Sequence, residues 1–322
     1  MEMVSKEEFR EYAKIVTNEN SKEIKHDLRK PIINKIKYII YVLFILLVIR
    51  VFVFSGIESK AYLFFYIAII ILGVLFSVYE TIEKKRKNKK YTKNYKNEIV
   101  KYLLDGYKYL YNNKRYIRNT EYDYSPMYKR YDNYTGEDYL CINIDNKDNE
   151  PSKCFLYVSD IYTNREVKDD DGNVHYIDVF NGTFGYVDFN DNFKESLYLN
   201  CPIKQKKDNL VKLENLEFNE KFKIYCRDQV EARYILTPNI MENILALNEL
   251  ISNQCKSKSK SNISLALVEN RMYFAFSGGF KLFDLKRERL ETGEVFDNFY
   301  DDINIILKII EEIKNNNKIF KI

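Results

Sequence analysis

Two carboxylates and an arginine lie close together in the segment from Asp228 to Arg233. At this spacing Asp228, Glu231 and Arg233 form a candidate acid–base or anion-binding site, because a carboxylate can exchange protons and a guanidinium binds anions. The spacing is also typical of a helix start, with Asp228 as N-cap, Glu231 at the third position and Arg233 pairing nearby. The capping interpretation is favoured, since it explains the spacing without a substrate.

Other chemistry-bearing patterns are few. The chain contains 2 histidines and 5 cysteines, with no CxxC pair and no zinc-type spacing. Asp171-Gly172 lies between β-rich runs and indicates a hairpin turn rather than a calcium loop. Ser277-Gly278-Gly279 lacks the frame of a phosphate-binding loop. The sequence therefore assigns no catalytic residue, no cofactor and no metal ion.

The elements that would position these residues are strands followed by helices. Short runs rich in β-branched and aromatic residues begin at about Tyr139. A helix is predicted from about Pro238 to Ser252, a hairpin turning at Glu269-Asn270, and a closing helix from about Val295 to Lys314. This order, without regular alternation, predicts an α+β domain over residues 114–322.

Two long apolar runs precede that domain, Tyr38 to Ile57 with the single charge of Arg50, and Ala61 to Tyr79 with none. About twenty apolar residues match the roughly 30 Å hydrocarbon core of a bilayer. We therefore predict a two-helix transmembrane hairpin over residues 36–80.

Basic residues flank both runs. Residues 22–37 hold six basic and two acidic side chains, and residues 80–96 hold eight and two. The positive-inside rule then predicts a multi-pass protein of the cell membrane with both termini cytoplasmic. The second flank also supplies candidate contacts to lipid headgroups: Lys84, Lys85, Arg86, Lys87, Lys89 and Lys90.

Two helical segments are predicted beside the hairpin. Residues 1–35 contain a short amphipathic helix, which Ser5 and Glu8 begin with capping-box spacing. That helix either lies on the membrane or packs on the cytoplasmic domain. Residues 81–113 are predicted as a basic juxtamembrane helix that ends near Asn112.

The charge of the chain is divided unevenly. Residues 1–96 carry 19 basic and 10 acidic side chains, a net of +9, and residues 97–322 carry 32 and 37, a net of −5. An acidic domain has no electrostatic footprint for a phosphate backbone. We therefore expect no nucleic-acid partner.

The block DQVEARYILTP, Asp228 to Pro238, resembles the bacterial family catalogued as domain of unknown function 3137. The segments Leu210–Leu247, Gly136–Tyr139 and Phe180–Phe193 extend the similarity. The resemblance implies an N-terminal membrane hairpin and no established activity. It also implies a possible protein partner, because some members are encoded near LemA-type membrane proteins.

Three hypotheses about function follow. The first is a binding or adaptor module at the inner face of the membrane, formed by an α+β cytoplasmic domain behind the transmembrane hairpin, with lipids and an unidentified protein as partners. The alternative is a membrane-tethered enzyme that uses carboxylates such as Asp228, Glu231 or Asp188, which would have to converge in one cleft. The third, a transporter or channel part, is poorly supported by two short helices.

Overall fold

A computed structural model describes residues 3–16, 73, 77–79, 81–82, 96–145, 154–202, 204–255, 262–283 and 294–321. The chain divides into two compact units. The first consists of Met1–Arg10 and Lys96–Ile322, and the second of Glu11–Tyr95. Within the second unit the described residues are helical at 11–16, 73, 77–79 and 81–82.

Among the described residues, none of the helices combines the length and the apolar character needed to cross a bilayer. This finding corrects two predictions, the transmembrane hairpin over residues 36–80 and the multi-pass location in the cell membrane. Most of residues 36–80 lie outside the described part of the chain. A long apolar run records a preference for leaving water, and that preference alone does not identify what buries the run.

The first unit is built mostly on one antiparallel sheet of nine strands in the order β1-β2-β3-β4-β9-β8-β5-β7-β6. The strands are β1 Tyr109–Asn112, β2 Asn133–Asn143, β3 Phe155–Lys168, β4 Val174–Asp188, β5 Leu197–Leu199, β6 Leu210–Val211, β7 Ile224–Cys226, β8 Ile263–Val268 and β9 Arg271–Phe276. The fold class predicted from the sequence is thus corrected to a large antiparallel sheet with helices.

Besides the helical residues 73, 77–79 and 81–82, the described residues form seven α-helices. They are α1 (6–16), α2 (96–103), α3 Asn119–Tyr124, α4 Leu216–Lys221, α5 Gln229–Ile235, α6 Pro238–Gln254 and α7 Glu294–Asn315. Short 3-10 helices lie at Lys207–Asn209 and Asn317–Ile319. The two longest helices contact each other, and Gln254 of α6 donates a hydrogen bond to the buried Asp302 of α7 at 3.0 Å.

Several predicted elements are present where the sequence indicates them. The hydroxyl of Thr237 caps α6 by accepting a bond from the Ile240 amide at 3.2 Å, with Pro238 at the first helical position. The turn between β8 and β9 contains Glu269, whose φ of 56° lies in the left-handed region. The β-rich sequence from Val174 to Asp188 forms the single long strand β4.

The N-terminal helix α1 docks on α7 within the first unit. The Phe9 side chain is fully buried, and its ring centre lies 5.7 Å from that of Tyr300. Two ion pairs flank this contact, Lys6 with Asp301 and Arg10 with Asp297, each at 2.5 Å. Of the two arrangements left open by the sequence, residues 6–10 therefore adopt the one packed on the domain.

Because Phe9 is buried in this contact, we expect Phe9→Ala to lower the free energy of unfolding by about 3 kcal/mol or more. The measurement is urea denaturation of the full-length protein. Ile15→Ala, on the same helix but 54% exposed, is the control and should cost well under 1 kcal/mol. Equal losses in both variants would contradict the docking of α1 on α7.

Candidate functional site

A row of tyrosines crosses one face of the sheet. Paired residues of neighbouring strands point to the same face, and the register joins Tyr157 to Tyr186 and Tyr186 to Tyr273. The row continues through Ala266 to Tyr198, and Tyr198 is paired with Tyr225 of β7. We call these five tyrosines and Ala266 the tyrosine row.

Helix α3 and the residues around it cover the middle of the tyrosine row. Ile117, Tyr122 and Met127 form a buried cluster with Tyr186 and Tyr273. Towards the ends the cover is incomplete, since Tyr157, Tyr198 and Tyr225 are only partly buried. The row therefore has a closed centre and accessible ends.

The end of the row at β7 opens into a cavity of about 530 Å³, which we call the lysine cavity. Tyr225 of the row lines it, as does Tyr128, which follows α3. Three lysines also line it, Lys204, Lys207 and Lys223. Hydroxyl and amide groups complete much of the wall: Ser264, Ser277, Asn200, Gln205 and Asn262.

Asn200 links the two segments that carry these lysines. Its φ of 49° turns the chain directly after β5, towards Lys204 and Lys207. Its side-chain oxygen accepts a hydrogen bond from the backbone amide of Lys223 at 2.7 Å, and its side-chain nitrogen donates to the Lys221 carbonyl at 3.3 Å. One amide side chain thus holds the turn after β5 against the start of β7.

The charge around the cavity has one sign. No described Asp or Glu lines it, although residues 97–322 are acidic overall. In the described part of the chain, Lys204, Lys207 and Lys223 have no carboxylate within ion-pair distance. Burial raises the pKa of the Cys201 thiol, which also lines the cavity, to about 12. That thiol is therefore neutral at physiological pH and is not a thiolate nucleophile.

A second group of polar side chains is buried near the other end of the sheet. Asp138 forms an ion pair with Lys96 at 2.5 Å and accepts a hydrogen bond from Tyr111 at 2.6 Å. Its φ of 62° falls within the irregularity that shifts the β2–β3 register. Burial is the main cause that raises the pKa of Asp138, and the Lys96 ammonium opposes it.

Asp160 of β3 is the second buried carboxyl of this group. One oxygen accepts bonds from the Thr183 hydroxyl at 2.6 Å and the Leu282 amide at 3.2 Å. The other oxygen has no hydrogen-bond partner among the described residues. Burial raises the pKa of Asp160 to about 7. The side chain fastens the 280–283 segment to the sheet, which is a structural role.

The structure places Asp228 and Glu231 at the start of α5 and Arg233 in its last turn. Asp228 accepts hydrogen bonds from the amides of Val230 at 2.7 Å and Glu231 at 3.4 Å, the geometry of an N-cap. A Glu231 oxygen lies 3.9 Å from the Lys194 ammonium. Arg233 donates to two backbone carbonyls, those of Gln229 and Lys212.

Asp188, the third carboxylate considered for catalysis, lies elsewhere, on β4. The Arg271 guanidinium binds Asp188 at 2.6 Å and Glu121 at 2.8 Å, and it lies 5.0 Å from the ring centre of Tyr186. Asp188 and Asp228 therefore have separate partners. The described residues also contain no group of three or more His, Cys, Asp or Glu that could hold a metal ion.

The lipid contacts predicted for the basic run from Lys84 to Lys90 lie outside the described residues and stay a prediction. The LemA-type partner and the expected lack of a nucleic-acid partner also stay predictions. The cavity lysines were missed because they are spread over twenty residues and belong to no motif. A usable signal existed for Asp160, which is the single charged residue in the apolar run CFLYVSDIY.

Residues 178–315 match a family described as "Protein of unknown function (DUF3137)". This part of the chain is therefore similar in sequence to DUF3137. The resemblance predicted from the DQVEARYILTP block is thereby confirmed. The DUF3137 segment contains all three cavity lysines and Tyr225, whereas Tyr128 lies before it.

No curated protein matches the chain. Among solved structures, the crystal structure of the mycobacterial trehalose monomycolate transport factor A, TtfA, is 12% identical in sequence. The alignment covers 62% of this chain and 89% of that one, with a TM-score of 0.28. A similarity this distant carries no argument about function.

Because Asp228 caps α5, we expect Asp228→Ala to lower the free energy of unfolding by about 1 kcal/mol. Glu231→Gln should cost less, since the Asp228 cap remains in place. Both values come from denaturation of the full-length protein. If neither variant loses stability, the capping interpretation is wrong and the segment becomes a candidate ligand site.

The raised pKa of Asp160 predicts a pH-dependent stability. The folded state keeps the Asp160 proton up to about pH 7 and the unfolded state only to about pH 4. The contribution of Asp160 to stability is therefore fully present below pH 4 and falls by about 1.4 kcal/mol per pH unit up to pH 7. Asp160→Asn should remove this contribution. Urea denaturation at pH 5 and pH 7 measures it.

Asp191→Asn removes the same charge from an exposed position and should keep the wild-type pH dependence. An Asp160→Asn protein whose stability changes between pH 5 and pH 7 as much as the wild type's would show that Asp160 does not titrate in this range.

Proposed function

We propose that this domain is a binding module that takes an anionic ligand in the lysine cavity. The observation that carries the proposal is the charge of that cavity, where three lysines and no described acid line a space within an otherwise acidic domain. Like charges gathered without counter-charges repel one another, and an anion relieves that repulsion.

The other groups of the cavity also favour binding. The side-chain amide of Gln205 can donate hydrogen bonds to anionic oxygens. The Cys201 thiol stays protonated at neutral pH because burial raises its pKa to about 12. A volume of about 530 Å³ falls within the range of about 300–1,000 Å³ typical of small-molecule sites.

The enzyme alternative required Asp188, Asp228 and Glu231 to converge in one cleft. Asp188 instead pairs with Arg271, and Asp228 caps α5. Neither of these carboxylates lines the lysine cavity. The binding role therefore accounts for more of the geometry than the carboxylate enzyme does.

The test compares phosphate with chloride as ligands of the full-length protein. We expect the melting temperature to rise with sodium phosphate more than with sodium chloride at the same ionic strength, because a ligand of the native state stabilises it. Lys223→Gln should weaken phosphate binding about two- to fivefold, the effect of one partly exposed charge.

Lys212→Gln is the matched control, since Lys212 is exposed, does not line the cavity and loses the same charge. It should bind phosphate like the wild type. The proposal fails if phosphate stabilises the protein no more than chloride does, or if both lysine variants weaken binding equally.

A further inference from the structure

We infer that the ligand of the lysine cavity is a phosphate monoester that also contains a planar ring, with the lysines around the phosphate and Tyr225 and Tyr128 against the ring. This inference rests on the proposed function, because it names the ligand class of the same cavity. The cavity then has a charged part, formed by the three lysines, and an aromatic part, formed by Tyr225 and Tyr128. The two parts can be tested independently.

The charged part fits phosphate better than a carboxylate. All three cationic side chains of the cavity, Lys204, Lys207 and Lys223, are lysines, and no described arginine lines it. Lysine binds phosphate as a point charge, whereas the planar fork of arginine matches carboxylate and phosphate alike. Several lysines together also suit a group that carries nearly two negative charges at neutral pH.

The aromatic part of the cavity indicates that the ligand contains a ring. A cavity of about 530 Å³ has room for an organic group beside the phosphate. The rings of Tyr225 and Tyr128 both line this space, and base–aromatic stacking is favourable for any planar ring system. The hydroxyls of Ser264 and Ser277 donate to the carbonyls of Asn200 and Asn262 and can accept a hydrogen bond from a polar ring substituent or a sugar.

Both tyrosines are held in place by the fold before any ligand arrives. Tyr225 belongs to the tyrosine row, where β7 pairs it with Tyr198 on one side and with Leu210 on the other. The ring of Tyr128 packs on Phe180, with the ring centres 4.8 Å apart. A rigid aromatic wall loses little conformational freedom on binding, which favours affinity.

The experiment measures the affinity of the full-length protein for AMP, ribose 5-phosphate and adenosine by isothermal titration calorimetry. We expect AMP to bind at least about fivefold tighter than ribose 5-phosphate, because only AMP presents a base for stacking. Adenosine, which lacks the phosphate, should bind more weakly than AMP. Lys223→Gln should weaken AMP and ribose 5-phosphate by the same factor.

Tyr225→Leu should bring the affinity ratio of AMP to ribose 5-phosphate close to one and leave the affinity for ribose 5-phosphate unchanged. Tyr198→Leu is the matched control, since Tyr198 is its neighbour in the tyrosine row but does not line the cavity. Its ratio should equal that of the wild type. Tyr128→Leu makes the same test should Tyr225→Leu fail to fold.

Equal binding of AMP and ribose 5-phosphate by the wild type would overturn the inference that the ligand contains a planar ring. Lysine-dependent binding of both compounds would still support the proposed function. The inference would also be overturned if Tyr225→Leu and Tyr128→Leu both kept the wild-type ratio of AMP affinity to ribose 5-phosphate affinity. No binding of any phosphate compound would overturn the inference and the proposed function together.

Discussion

The antiparallel pairing of β3 with β4 is the constraint on which the rest of the domain depends. Its register runs from Phe155 opposite Asp188 to Lys168 opposite Val174, and Asp169 closes the connecting turn by accepting from the Asn173 amide. Since side chains alternate along each strand, this pairing, which shifts by one residue between Thr163 and Asn164, assigns the residues of both strands to the two faces. A slip by one residue would exchange the tyrosines with the buried aliphatic residues.

The two faces therefore differ in what they can do. Aliphatic residues such as Leu156, Val158 and Val187 are buried on one face, while Tyr157 and Tyr186 stack on the other with ring centres 4.6 Å apart. Along the tyrosine row the strands shorten, and β5, β6 and β7 have only two or three residues each. Short strands leave their connecting segments close to the sheet, and those segments carry the cavity lysines.

The local elements were more predictable than the environment of the apolar segments. Helix α6 could be located because its signals are local, a threonine cap followed by proline. The transmembrane hairpin was predicted from hydropathy, a property of composition, and the described helices do not bear it out. The lysine cavity was unpredictable because Lys204 and Lys223 become neighbours only through the long-range pairing of β5 with β7.

The match to DUF3137 begins at Asp178, in the middle of β4, and this position has a structural consequence. Strand β4 pairs with β3 along its whole length, so the family segment lacks the strand that completes its sheet on that side. The wall of the cavity likewise needs Tyr128, which precedes the segment. The α1 helix, with Phe9 buried against Tyr300, adds a further contribution from outside it. The folded unit is therefore larger than the family segment, and it gathers residues from both sides of Glu11–Tyr95.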